Sequence, residues 1–335
     1  MPEATDLVLV TEPEYRKAEE VFRNAWGTLF EPAPAAESEL AKQVLERGAR
    51  VAVVGVMPYV GPLYEAIGSM RGLIVRFGVG HDNIDKAMAQ RYGVTVANTP
   101  GVLDASVAEH AIWLMGCLAR RISKLEAAFR TGGFAGETGI ELAGRTLGIL
   151  GFGNIGRRVA TMAHFGFGVR VVAADSRTVA EVEATEGQRI EDILANAGAE
   201  EYTTDIETVF RMADILSVHL PVTPGTTRFI NPERLSWMKP SALLVNTARG
   251  AVLDESALFD ALSGGTLAGA ALDVFEKEPY EPADPSKDLR NLPNVVLTPH
   301  VGSNTVEANE RMGKACIDNS LKFLAGQMDQ ISAIV

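Results

Sequence analysis

Short β-branched runs alternate along this chain with longer stretches whose apolar positions recur every three or four residues, the marks of strands and helices in turn. In the first hundred residues strands are predicted at 6–10, 51–56 and 73–77, and helices near 14–24 and 63–69. Strands separated by helices pair in parallel, so this order predicts an α/β layer structure. Residues 105–129 contain no proline and no β-branched run, and Asp104 stands where a cap is needed, which predicts one long helix. A second alternation begins at residue 146, with strands predicted at 146–150, 169–173, 215–218, 242–246, 268–272 and 295–298. Residues 179–196 read as a polar helical stretch, and 307–325 as one amphipathic closing helix. The proline-containing segments 31–36 and 278–285 read as surface loops.

Two cores are needed, because 335 residues exceed what a single one usually accommodates. A hydrophobic fraction of 47% and a charged fraction of 22% are ordinary for a globular chain. The formal net charge of −12 argues against nucleic acid or anionic lipid as a partner. The start MPEATDLVLV lacks the basic region and long apolar run of an export signal, and glycines interrupt apolar runs well short of the roughly 20 residues of a membrane helix. A cytoplasmic protein without a membrane span is expected. Cys117 and Cys316 lie in helix-like apolar contexts and in no CxxC or Cys/His spacing, so buried free thiols and no metal site are expected.

Chemistry first appears in TLGILGFGNIGRRVA, where Gly151, Gly153 and Gly156 stand in GxGxxG spacing between a predicted strand and a predicted helix. The first glycine permits a tight turn, the second lets backbone approach a diphosphate, and the third allows close helix-on-strand packing. The helix start, with Asn154 and Ile155, would face the diphosphate with its positive end. Asp175 follows the next strand at about the 20-residue spacing of a ribose-binding acid. Strand, turn, helix and acid together favour a dinucleotide site over a ligand-free glycine turn. The acid favours NAD, while Arg177 just beyond it leaves NADP open.

Three later segments each end an apolar strand with charged or imidazole chemistry, where open α/β sheets bind ligands: ALLVNTARGAVLDE, GAALDVFEKEP and VVLTPHVGS. With DNID, NTPG, SVAEHA, LAGRTLGILGFGNIG and HLPVTPGTTRFIN, they resemble the D-isomer-specific 2-hydroxyacid dehydrogenases, the family of phosphoglycerate dehydrogenase and hydroxypyruvate-glyoxylate reductase. The resemblance runs from about residue 73 to 302. Taken singly, Arg249 could cap a helix or pair with Asp254, Glu278 could be a solvated loop acid, and His300 a satisfied strand-end histidine. Their joint occurrence on successive strand-to-loop junctions favours function.

The resemblance implies two doubly wound parallel-sheet domains, with a Rossmann-type nucleotide-binding domain (104–299) inserted in a flavodoxin-like substrate domain (1–103 and 300–335). The active site would be the cleft between them. Arg249 would bind the keto oxygen and carboxylate of a small 2-keto acid or its 2-hydroxy partner, His300 would act as acid/base, and Glu278 would orient the histidine. Asp273 would reach the cofactor near the nicotinamide, and backbone amides around Gly78 and Val79 would receive the substrate carboxylate. Thr99 and Val107 would lie near the nicotinamide, with His219, Pro221, Thr226, Thr247 and Ala248 along the cofactor cleft. A homodimer through the helix after Asp104 is implied as well. His81, His110 and His164 show no comparable partners in sequence and are read as structural or peripheral.

Two departures from the family pattern stand out. Phe77 occupies a position where the family often has a small residue, and the loop GVMPYVGPLY carries no Arg or Lys for a phosphate. Both argue against a phosphorylated substrate. Met57, Tyr59 and Phe77 line a small pocket or merely pack between strand and helix, and the two readings stand side by side. The segment between Asp175 and residue 215 is longer than the family usually carries and is expected to form a surface helix near the adenosine. Rivals to the hydroxyacid reading are a formate-type enzyme, which typically pairs its histidine with glutamine rather than an acid such as Glu278, and a phosphite-oxidising relative. A corepressor-like NAD sensor is a third, expected to carry long interaction tails.

Overall fold

The computed structural model describes residues 6–335, which divide into two compact units. The described part of Met1–Leu103 with Ser303–Val335 forms one, and Asp104–Gly302 the other.

The first unit is built on strands β1 (Leu7–Thr11), β2 (Leu29–Ala33), β3 (Val51–Val54), β4 (Leu73–Arg76) and β5 (Thr95–Ala97). They pair in parallel in the order β2-β1-β3-β4-β5, the flavodoxin-like arrangement. Every residue of β3 and β4 is buried, as continuous apolar runs demand when helices cover both sheet faces. Leu40 and Val44 of the helix Glu37–Arg47 join Leu63 and Ile67 of the helix Pro62–Ser69 in one core. The closing helix Val306–Leu324 buries Met312, Cys316 and Phe323. Its Asn319 donates to the Asn98 carbonyl at 3.0 Å and accepts the Ser332 N–H at 2.8 Å, fastening the chain end to this unit.

Two expectations fail here. Strand β2 occupies part of the segment read as a loop: Pro32 is accommodated because β2 is an edge strand, where a missing N–H breaks no ladder bond. The helix expected near 14–24 is two pieces, Glu12–Lys17 and Glu19–Arg23, separated where Ala18 leaves helical geometry at φ −136°.

The second unit carries β6 (Thr146–Leu150), β7 (Arg170–Ala174), β8 (Glu201–Thr203), β9 (Ile215–Val218), β10 (Leu243–Asn246), β11 (Gly269–Leu272) and β12 (Val295–Leu297). Their order, β12-β11-β10-β9-β6-β7-β8, is the doubly wound dinucleotide-binding order with one strand added. All neighbours are parallel, and the order reverses between β6 and β9, where such sheets bind ligands beyond the strand ends. Apolar side chains fill both faces, Leu147 and Ile149 in one core and Leu150 and Leu216 in the other.

Strand β8 lies in the long segment after Asp175, whose predicted single helix is two, Val179–Glu186 and Ile190–Ala197, separated after Gly187 at φ +65°. The long helix expected over 105–129 is also broken. The piece Asp104–Ala119 buries Val107, Ala111, Met115 and Leu118, whereas Ile122–Arg130 buries nothing, and Arg121 between them sits at φ +55°. Among the described residues no helix is long and apolar enough to cross a membrane.

Candidate active site

The glycine turn leaves β6 at its C-terminal end. Gly151 sits at φ +92°, and a Cβ there would come within 2.6 Å of the His219 carbonyl oxygen, so both conformation and space require glycine. A Cβ at Gly156 would collide with the Gly151 carbonyl, which is how the helix comes to start directly beneath the strand. Gly153 is the N-cap of the helix Asn154–Phe167, and no side chain caps it. The first N–H groups, including those of Asn154 and Ile155, thus lack a side-chain acceptor at a positive helix end, which suits a phosphate.

Asp175 follows β7. Its carboxylate accepts the Phe152 N–H at 3.0 Å and meets Arg177 through two contacts, Nε to Oδ1 at 3.2 Å and Nη2 to Oδ2 at 3.1 Å. Burial opposes its charge, but the Arg177 guanidinium and the backbone donors prevail and hold the carboxyl below the usual carboxylate range. The acid expected to favour NAD and the arginine that leaves NADP open are therefore one ion pair.

Across the switch point, the His219 N–H donates to the Leu150 carbonyl at 2.7 Å, and its Nε2 lies 2.9 Å from Ser217 Oγ. Loss of solvent around the ring pushes its pKa down to about 4, so the imidazole is neutral at physiological pH. The Thr226 hydroxyl donates to the Pro221 carbonyl at 2.6 Å and accepts the Thr223 N–H at 2.7 Å, fixing that loop. Just beyond β10, the Thr247 hydroxyl is buried with no hydrogen-bond partner among the described residues. Such an orphan calls for a partner from outside the chain. With the uncapped helix and Asp175, it makes a residue set that fits a dinucleotide.

Arg249 is presented by the turn after β10. The buried Asn246 accepts the Ala248 N–H at 3.0 Å and donates to the Arg249 carbonyl at 2.9 Å, clamping that turn, and Arg249 Nη1 donates to the Ala248 carbonyl at 2.6 Å. The next residue, Gly250, lies against the segment that leads to Glu278: a methyl there would overlap the Phe275 carbonyl group.

Glu278 and His300 are brought together. Nδ1 of His300 lies 2.6 Å from Oε2 of Glu278, and the other carboxylate oxygen accepts the Phe275 N–H at 3.0 Å. Both side chains keep about a third of their surface exposed, His300 30% and Glu278 32%, so the pair is open to a reactant. With Nδ1 held, Nε2 is the ring atom left to exchange a proton. His300 sits at φ +53°, uncommon for a non-glycine residue and frequent at functional sites. Its N–H donates to the Asp273 carbonyl at 2.8 Å and the Thr298 carbonyl at 3.0 Å.

Asp273, expected near the nicotinamide, is 1% exposed and its oxygens are engaged by the protein. Oδ1 accepts Thr298 Oγ1 at 2.6 Å and the Val301 N–H at 2.9 Å, and Oδ2 accepts the Gly302 N–H at 2.8 Å. Burial works against its charge, but His110, Thr298 and the two backbone donors hold its pKa low. His110 Nε2 lies 3.1 Å from Thr298 Oγ1 and 3.3 Å from Asp273 Oδ1. A role for His110 was missed in the sequence because its partners stand more than 150 residues away. Val107, one helical turn earlier, is buried near Gly302.

In the first unit, Gly78 sits at φ +139°, and its N–H donates to Thr99 Oγ1 at 3.0 Å and to the Arg76 carbonyl at 2.9 Å, so that amide is already engaged. The Val79 carbonyl accepts Asn98 Nδ2 at 2.8 Å. Tyr59 and Phe77 are buried, Tyr59 in the core and Phe77 with its ring 6.4 Å from that of Phe22, and burial pushes the Tyr59 phenol up. Met57 is more than half exposed. The basic residue sought in the loop before the helix Pro62–Ser69 is absent there, but Arg76 stands buried at the end of β4.

Comparison with known proteins points the same way. Residues 112–302 match the family described as "D-isomer specific 2-hydroxyacid dehydrogenase, NAD binding domain". The chain is 40% identical over 265 residues to a glyoxylate reductase of Thermococcus litoralis, covering 76% of this chain and 75% of that one. It is 40% identical over 255 residues to a hydroxypyruvate reductase of Thermotoga maritima, covering 75% and 77%. The crystal structure of the TT0316 protein from Thermus thermophilus superimposes with a TM-score of 0.80 at 34% identity, covering 98% of this chain and all of that one. On its sheet order, its glycine turn and these matches, the chain belongs to the D-isomer-specific 2-hydroxyacid dehydrogenase family, with Asp104–Gly302 holding its NAD-binding domain.

Proposed function

We propose that this chain reduces small, unphosphorylated 2-keto acids of the glyoxylate and hydroxypyruvate kind to D-2-hydroxy acids with NADH, and runs the reverse reaction. The observation that carries this reading is the 2.6 Å contact between His300 and Glu278, beside an arginine loop in a dinucleotide-binding sheet. The names of the two relatives support the substrate class.

The nicotinamide, when bound, supplies or accepts the hydride at substrate C2. Arg249 binds the carboxylate and keto oxygen, a task suited to a planar guanidinium. His300 gives a proton from Nε2 to the keto oxygen as charge develops there, and takes it back in oxidation. Glu278 fixes the ring through Nδ1. The amides of the Gly151–Gly156 turn hold the diphosphate, Asp175 the ribose, and Thr247 offers its hydroxyl to the same ligand.

The reading extends to a cytoplasmic homodimer, with Met1–Leu103 and Ser303–Val335 as the substrate domain. The helix Ile122–Arg130 buries no residue, and the rings of Phe129 and Phe134 lie 6.2 Å apart, at 65% and 92% exposure. An apolar cluster of this kind favours burial against a second copy.

Absorbance at the reduced-nicotinamide band tests the activity with NADH and NADPH against glyoxylate, hydroxypyruvate and 3-phosphohydroxypyruvate. Turnover of the first two and not the third is expected. Light scattering on the eluted protein tests the dimer, and a monomer mass would overturn that part.

A further inference from the structure

The loops bearing Arg249 and Glu278 are fastened to each other by two acids. Glu255, the first residue of the helix Glu255–Ser263, donates its N–H to Oε1 of Glu276 at 3.1 Å. Its own Oε1 accepts the Glu276 N–H at 2.5 Å. The second Glu276 oxygen faces Arg228 Nη2 at 2.9 Å, so Glu276 has a cation and Glu255 has none beside it in this network.

Burial of Glu255, and then the nearby Glu276, Glu278 and Asp254 carboxylates, push its pKa up to about 7. Capping does not account for an acid kept in such a place, because Asp254 already caps this helix by accepting the Ala257 N–H at 2.9 Å. What Glu255 does hold is the segment on which Glu278 rides. Phe275 gives its N–H to Glu278, Glu276 gives its N–H to Glu255, and Gly250 packs against the Phe275 carbonyl.

We propose that Glu255 is a positioning residue for proton transfer: by accepting the Glu276 N–H it fixes segment 275–278 and sets where Glu278 meets His300. The proposal rests on the reading of His300 and Glu278 as the acid/base pair. Loss of the acceptor strands the Glu276 N–H and frees the segment to shift, and a displacement near 1 Å is enough to slow a reaction about 100-fold.

The test compares Glu255→Ala and Glu255→Gln with the parent enzyme. One readout is kcat and KM for glyoxylate and NADH. The other is the downfield Nδ1 proton resonance of His300, assigned by its loss in His300→Ala. Glu255→Ala is expected to lower kcat by about tenfold to 100-fold, to leave the KM for NADH in place, and to shift or broaden the resonance. Glu255→Gln keeps an oxygen for the same N–H and is expected to restore the resonance and most of kcat.

Parent kcat and resonance in Glu255→Ala would overturn the proposal, as would equal damage in Glu255→Gln. If Glu255→Ala does not fold, Glu255→Asp withdraws the carboxylate by one methylene from the same Glu276 N–H and must show the same selective loss. If the parent enzyme turns over no 2-keto acid, the functional reading fails, and the resonance still decides the positioning claim.

Discussion

The main-chain carbonyl of Asp273 accepts the N–H of His300 at 2.8 Å, while the Asp273 carboxylate holds the N–H groups of Val301 and Gly302 and the hydroxyl of Thr298. A single buried acid thus fixes the turn on both sides of a histidine in left-handed backbone. Asp273→Asn puts an NH2 group where one of those donors now points. Hydrogen bonds to a charged group contribute about 1.5–3 kcal/mol each, so a loss of at least that size is expected in denaturant unfolding. The kcat for 2-keto acid reduction should fall with it, roughly tenfold or more.

Gly250 is the tightest joint between the arginine and glutamate loops. In Gly250→Ala the methyl must displace the Phe275 carbonyl. Overpacking of this kind costs about 1–3 kcal/mol. A lower melting temperature is expected, with kcat falling more than NADH affinity, measured by fluorescence titration.

Glu255 makes stability depend on pH. Its pKa rises from the ordinary 4.5 to about 7 in the fold. A raised pKa means the folded chain binds the extra proton, so the contribution is full below 4.5 and is lost as pH rises through about 7. The expected loss is about 1–3 kcal/mol, and Glu255→Gln should abolish it. His219 acts in the opposite sense, since its neutral form is favoured and its contribution is lost as pH falls from 6.5 through about 4. Both proteins share His219, so the difference between their unfolding curves at several pH values isolates Glu255.

Cofactor choice should turn on the Asp175–Arg177 pair. Asp175→Asn removes the charge facing a 2′-phosphate and releases the guanidinium from its bidentate partner. A change of about 1–3 kcal/mol corresponds to roughly tenfold to 100-fold. The ratio of kcat/KM for NADPH to that for NADH is expected to rise by that factor in steady-state kinetics.

Much of this was legible in the chain because buried parallel strands are continuous apolar runs bounded by glycine or charge. The strands 146–150 and 215–218 stand where those runs stand. Strands β2, β5 and β8 were not legible, since all three are edge strands: β2 carries a proline, β5 is only three residues long, and β8 is polar. Nothing in the side-chain pattern around LARRIS marks the break at Arg121, which is a backbone event. The glycine turn, Arg249, Glu278 and His300 could be picked out as candidates because each follows a strand, while the roles expected of the last three came from the family resemblance. Asn246, His110 and Glu255 could not, because each acts on a partner or a turn with no mark of its own in the local sequence. Asp273 was expected near the nicotinamide from the family resemblance alone, and its bonds to the His300 turn were visible only in three dimensions.

The central claim is that His300 moves the proton in a nicotinamide-dependent reduction. The most direct test follows NADH oxidation by glyoxylate and hydroxypyruvate in the parent protein and in His300→Ala, with NADH binding measured in both. Turnover in the parent, a fall of about 100-fold to 10,000-fold in the variant and unchanged NADH binding are expected. Equal turnover in the two proteins would contradict the claim, as would a parent protein that binds NADH and reduces neither keto acid.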